Sequence, residues 1–196
     1  MNSTKQLLID ITFNMLYKRG YCATGLMDIL QKAELTKGAM YYHFKNKNDL
    51  VLSSMTYYLE YMLESHWVKP LAESEQPLTS IIDQINALYN LYESDEGFVT
   101  VTHGCPLNNF IQDMSDKEEE FFKYLQSVYS RWQEAFEMAL FKAQNLKQTK
   151  TNFKPKEQAL FLISAIEGSI CSAKAYNDLK TLRVSFNVLN DYVASL

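Results

Sequence analysis

Turn-forming residues are scarce in this 196-residue chain, with six glycines and four prolines. A sheet protein needs many tight turns and more of both residues, so the shortage favours helices. Cysteine is scarce too, and odd in number at three, which excludes a disulfide framework and suits a reducing compartment. Histidine occurs only at positions 43, 66 and 103, in no metal-ligand spacing, so neither a metal nor a cofactor is expected. No apolar run approaches membrane-spanning length, and the polar start from Met1 to Gln6 is unlike a secretory leader. These absences predict a cytoplasmic protein with no membrane partner. Internal repeats and low-complexity tracts are also missing.

An overall positive charge is lacking as well. The net charge of −4 argues against a protein that coats nucleic acid, but the charge is unevenly spread. The first fifty residues carry seven Lys and Arg against four Asp and Glu; the remainder carries twelve against nineteen. A basic head on an acidic body localises attraction for a polyanion to one end. Hydrophobic residues, at 47%, suffice for a core and exclude disorder as the main state. The length suits one small module and one larger helical body.

The stretch from Thr24 to Leu50 organises the rest. Thr24 is expected to cap a helix running to Ala33, with Leu26, Ile29, Leu30 and Ala33 as its buried face. Thr36 then caps a very short helix ending near His43, in which Met40 and Phe44 turn inward with Leu35. Lys37, Gly38, Ala39, Tyr41, Tyr42 and His43 are left facing outward. Small residues permit close approach to a groove floor, and tyrosines can bond phosphates or pack on thymine methyls. Asn46 caps the next helix, placing Asp49 near its positive end and Lys47 where it could meet a phosphate. The alternative, a core helix with solvated polar residues, accounts poorly for an outward Tyr-Tyr-His.

Gly20-Tyr21, Thr24, Asp28-Ile29, Ala33 and the run from Thr36 to Leu50 resemble the DNA-binding signature of TetR-type transcriptional regulators. The resemblance implies an all-α fold: a three-helix helix-turn-helix domain over residues 1–46, then a helical effector-binding and dimerisation domain over 47–196. It implies DNA contacts from Thr24, Thr36, Lys37, Gly38, Ala39, Tyr41, Tyr42, His43 and Lys47. Glu34 departs from the pattern, standing where the family usually has glycine. If the turn requires positive φ there, Glu costs about 1 kcal/mol relative to Gly.

About nine helices are expected. Ser3 and Gln6 form a capping box for the first, which Gly20 ends. The fourth runs to about Trp67, and Pro70 closes it. Ser94 to Gly97 breaks the fifth. Pro106 starts a short sixth helix, and Ser115 with Glu118 opens a long seventh. The last two begin near Pro155 and beyond Thr181. Small residues Ala165, Gly168, Ser169 and Ser172 let another helix approach, while Leu182, Phe186, Leu189 and Val193 make a near-heptad seam. These could simply pack inward, but the resemblance implies a homodimer joined through both helices.

The body is rich in aromatic and Met side chains. The resemblance places a pocket for a small hydrophobic effector somewhere in it, and Tyr61, Met62, Trp67, Phe98, His103, Cys105, Phe110, Tyr124 and Trp132 are the candidate lining. Cys105 falls at the cap of the short helix begun by Pro106, where free N–H groups and a protonated His103 would favour a thiolate open to reactive species. Cys22 and Cys171 read as helix-packing residues. The expected function is a homodimeric repressor that binds a palindromic operator and is released by its effector. Two alternatives are a partner-binding or sensor protein that shares the fold but binds no operator, and an enzyme using Cys105 and His103. For the last, no orienting third group or oxyanion signature appears, so no catalytic residue is assigned.

Overall fold

A computed structural model describes residues 3–94, 98–150 and 152–196. Among them every regular element is helical. The helices are α1 (Ser3–Arg19), α2 (Leu26–Ala33), α3 (Lys37–Tyr41), α4 (Lys47–Met62), α5 (Lys69–Glu73), α6 (Pro77–Glu93), α7 (Pro106–Met114), α8 (Glu119–Asn145), α9 (Pro155–Tyr176) and α10 (Leu179–Ser195). A wide π-helical stretch, Leu63–Val68, runs unbroken from α4 into α5. Counting that run as one rod leaves nine among the described residues. The expected break at Ser94–Gly97 lies mostly outside them.

The chain forms two compact units, one holding the residues up to Tyr61 with Pro106–Leu125, the other Met62–Cys105 with Gln126–Leu196. Neither coincides with a division at residue 46, because α7 and most of α4 belong with the first three helices.

In the first unit, Leu8, Ile9, Met15, Ile29, Leu30, Met40, Phe44 and Leu50 share one core, with Leu26 and Leu35 packed against it. A polar latch supplements it: the Tyr58 hydroxyl and the Gln6 amide both donate to Asp10 Oδ1, at 2.8 and 2.6 Å. Gln6 therefore points along its helix and not back to Ser3, as a capping box would need. Burial and the Asp10 carboxylate together raise the Tyr58 pKa far above the phenol range, so this hydroxyl stays a donor at any physiological pH.

In the second unit, α10 packs against α6 and α9. Leu182, Phe186, Leu189 and Val193 are buried there, beside the inward stripe Leu162, Ile163, Ile166 and Ile170 of α9. Asp178 caps α10 by accepting from the Lys180 and Thr181 amides at 3.1 Å each. A second cluster joins Trp67 to Trp132 and Phe136, with ring centroids 5.4 and 5.1 Å away.

Several sequence expectations need correction. Pro70 does not end the fourth helix: the Lys69 amide bonds back five residues to the Glu64 carbonyl, a widened turn into which proline fits without breaking the rod. The long helix opens at Glu119 and not at Ser115, because Ser115 continues the end of α7 by donating its amide to the Ile111 carbonyl. Cys22 and Cys171 are exposed, so neither packs between helices. Among the described residues α9 alone is long and apolar enough to cross a bilayer by length and composition. That corrects the absence of such a run, though a third of its most apolar window is buried inside the protein.

Candidate nucleic-acid interface

Five residues make α3, too few to hold a helix by backbone bonding alone. Side chains supply the rest. The Thr36 hydroxyl accepts the Ala39 amide at 3.3 Å, Met40 is fully buried and Phe44 nearly so. The helix ends at Tyr41 and not at His43, but the chain keeps turning, since the His43 and Phe44 amides both donate to the Met40 carbonyl. What remains points outward: Thr36, Lys37 and Gly38 are exposed, Ala39 and His43 half-buried. Tyr41 is 54% and Tyr42 81% exposed.

The turn before α3 is held as a left-handed cap. Glu34 sits at φ 55, ψ 37, and its amide donates to the Gln31 and Leu30 carbonyls. This is the conformation glycine would take without strain, so the departure noted in the sequence is a real local cost.

Two of the other expected DNA contacts are placed differently. Thr24 is fully buried, and its hydroxyl donates to the Gly20 carbonyl at 2.7 Å. The cap position of α2 is Gly25, so Thr24 neither caps that helix nor offers a side chain to a ligand. Lys47 does not extend into solvent. Its Nζ lies 4.1 Å over the Tyr21 ring and 3.3 Å from the Tyr21 carbonyl, and burial holds its pKa below the ordinary lysine value. The cap of α4 is as expected: Asn46 accepts the Asp49 amide at 2.9 Å, and Asp49 accepts the Lys45 amide at 2.8 Å.

A capped short helix presenting Lys, Gly and two tyrosines after a tight helix–turn is the geometry of a groove reader. The model of the family described as "Bacterial regulatory proteins, tetR family" matches residues 8–53, and that of "Tetracyclin repressor-like, C-terminal domain" matches 82–189. The chain belongs to the TetR family. Its sequence is 28% identical to an uncharacterised HTH-type transcriptional regulator from Lactococcus lactis, over 96% of this chain and 92% of that one. It is 22% identical to the HTH-type transcriptional repressor DhaR of a Mycobacterium species, over 87% and 82% respectively. Its fold matches the reduced form of E. coli NemR with a TM-score of 0.84, at 17% identity over 97% of this chain and 96% of that one. It is a TetR-family transcriptional regulator.

In this TetR-type chain the candidate effector residues are distributed over both units. Tyr61, Phe110 and Tyr124 belong to the first unit and the other six to the second. Phe110 packs edge-on against Phe13, Tyr61 is 67% exposed, and Trp67 with Trp132 fill the second core. The structure instead opens a groove of about 630 Å³ between the α5 region and α8, walled by Val68, Leu71, Ala135, Met138, Ala139, Phe141 and Leu146. Arg131 and Lys142 flank it and are ion-paired with Glu64 and Glu75. Met138 and Phe141 in its wall are solvent-facing.

Cys105 is half-buried immediately before α7. Gly104 beside it has φ +76, and a side chain there would stand 3.0 Å from the Lys174 stem and 3.8 Å from its Nζ. The loop is pinned to the end of α9 by the Thr102 hydroxyl, which donates to Asn177 Oδ1 at 2.9 Å.

The expected dimer residues separate into two kinds. Ala165, Gly168, Ser169 and Ser172 are exposed or half-exposed, and a side chain added at Gly168 would meet nothing within 4 Å. Leu182, Phe186, Leu189 and Val193 are buried within the second unit. Apolar residues left outside on these helices include Leu160, Phe161, Val184 and Val188, at 48, 50, 64 and 66% exposure.

Proposed function

We propose that this chain is a homodimeric repressor that binds a palindromic operator through α3 and is released when a small hydrophobic effector reaches the second unit. The observation that carries the reading is the exposure of Tyr41 and Tyr42 beside Lys37 and Gly38 on a helix anchored by Met40. Lys37 meets a phosphate, the small Gly38 and Ala39 let the backbone approach the groove floor, and the tyrosines reach base edges or methyls. Functionally, residues 1–46 read DNA, and 47–196 supply the effector site and the dimer contact, in a cytoplasmic protein without catalytic activity.

One five-residue helix covers too few base pairs for specificity, which a two-fold partner supplies by reading the next turn, about 34 Å away. Leu160, Phe161, Val184 and Val188 are the surface for that partner, with Gly168 allowing close approach. The groove beside α8 offers an effector apolar walls and nearby charge.

The test is selection of duplexes from a random pool by the full chain, followed by titration of the enriched sequence against salt. A palindromic product with a steep salt slope is expected, and Lys37→Ala should lower that slope by about one. Enrichment of no sequence would favour the reading as a partner-binding protein without an operator. A second reading rests on the half-buried Cys105 beside Gly104, whose backbone lies close to the Lys174 side chain. Release of the parent but not of Cys105→Ser by a thiol oxidant would support it, and equal release would end it.

A further inference from the structure

We propose that Asp113, at the far end of α7, is a positioning residue for DNA binding: its carboxylate fixes the turn from which both α2 and α4 take their placement. The inference rests on the DNA-binding reading above and concerns a residue outside the helix-turn-helix. All its contacts lie within the first unit.

The turn between α1 and α2 has little structure of its own. Gly20 is left-handed at φ +78, and the helical bonding of α1 ends with its amide on the Leu16 carbonyl at 2.8 Å. The next amide, Tyr21 N–H, donates to Asp113 Oδ2 at 2.6 Å, a short charge-assisted bond across 92 positions of sequence. The same oxygen lies 2.9 Å from where a Cβ on Gly20 would stand. Glycine is thus required there twice, by its backbone angle and by the approach of the carboxylate.

Tyr21 carries this fixed point onward. Its hydroxyl donates to Asn48 Oδ1 at 2.8 Å, and the Asn48 amide donates to Glu118 Oε1 at 3.0 Å. Phe121 meets its ring edge-on at 5.5 Å. Lys47 lies over the ring and donates to the Tyr21 carbonyl. Burial, then the Glu118 charge, raises the phenol pKa, so the hydroxyl remains a donor. From this turn the Thr24 amide and hydroxyl bond back to Tyr21 and Gly20, and α2 begins two residues later. The first turn of α4 is tied to the same ring. One carboxylate on α7 therefore sets the entry to the reading pair and the exit from it, while touching no residue of α3.

Asp113→Ala and Asp113→Asn separate the possible roles, because both remove one negative charge from the DNA-binding unit. If charge alone matters, both tighten binding to the selected duplex. If the acceptor positions the turn, Asp113→Ala weakens binding about tenfold, and Asp113→Asn, whose carbonyl oxygen still accepts the Tyr21 amide, binds at least as tightly as wild type. Affinity is measured where circular dichroism shows each variant fully folded. Amide spectra of the free protein provide an arm that needs no duplex: Asp113→Ala should shift Thr36 to His43 and speed exchange at Tyr21, and Asp113→Asn should restore both. Unchanged α3 amides in the alanine variant, wild-type affinity in it, or equal weakening in both variants would each overturn the proposal. A wild type that binds no duplex would sink the DNA-binding reading alone, with the amide arm still deciding this one.

Discussion

Helices α3 and α10 use aromatic and aliphatic residues in opposite ways. The first leaves Tyr41 and Tyr42 in solvent and keeps its place through Met40, Phe44 and the Thr36 cap. The second sends Leu182, Phe186, Leu189 and Val193 inward and leaves Val184 and Val188 outside. Apolar surface left uncovered stabilises nothing in the monomer, and under the proposed function it is on both helices the surface offered to another molecule. On α3 the exposed rings carry hydroxyls and sit beside a lysine, which suits a polyanion. On α10 the exposed side chains are bare aliphatics, which suit a like surface.

The sharpest way to break this contrast is to truncate one residue of each kind. Phe186→Ala should cost about 3–5 kcal/mol of unfolding free energy in denaturant titrations, with DNA affinity lost only as far as the protein unfolds. Tyr42→Ala should do the reverse: about tenfold weaker binding to the selected duplex, close to 1.4 kcal/mol, with stability unchanged within about 0.5 kcal/mol. A Tyr42 variant that unfolds readily would place that ring in a core. Next, Val188→Glu should yield monomers in sedimentation while the helical spectrum is kept, since the charge lands on an outward position; a dimer that survives it must use another face.

Two smaller effects test the frame around these helices. Glu34→Gly should raise stability by about 1 kcal/mol by relieving the left-handed cap, and a loss would mean the Glu34 side chain contributes something the cap geometry does not show. His66 places Nε2 3.0 Å from the Gln84 carbonyl, and burial pulls its pKa below the ordinary 6.5 despite that bond. Its neutral form is favoured by the fold, so its contribution is complete above pH 6.5 and is lost as pH falls from there through the lowered folded value. Thermal midpoints of wild type should therefore drop more between pH 7.5 and 5.5 than those of His66→Gln.

These helices also show where sequence patterns stop being informative. Thr36, Met40 and Phe44 could be placed because a short helix and the turn that follows it have few ways to bury two large apolar side chains, and the motif around them is long and ordered. The stripe on α10 was equally plain, but periodicity identifies a face without saying whether the face meets its own chain or another. Thr24 misled because a hydroxyl before a helix reads as a cap, whereas the structure uses it to close the preceding turn. Lys47 looked free because nothing local predicts that Tyr21, 26 residues earlier, would receive it. The Asp113 contact spans still more chain and leaves no periodic trace at all.

The wide turn at Leu63–Val68 has a consequence for anyone drawing this rod as a wheel. Each i→i+5 bond carries one residue more than an α-turn, so side chains beyond it are rotated by about 100° relative to a regular helix. Val68 and Leu71 reach the groove from that offset phase. Removing a single residue from the bulge would reset the phase and swing both away, emptying the groove wall without altering one of its side chains.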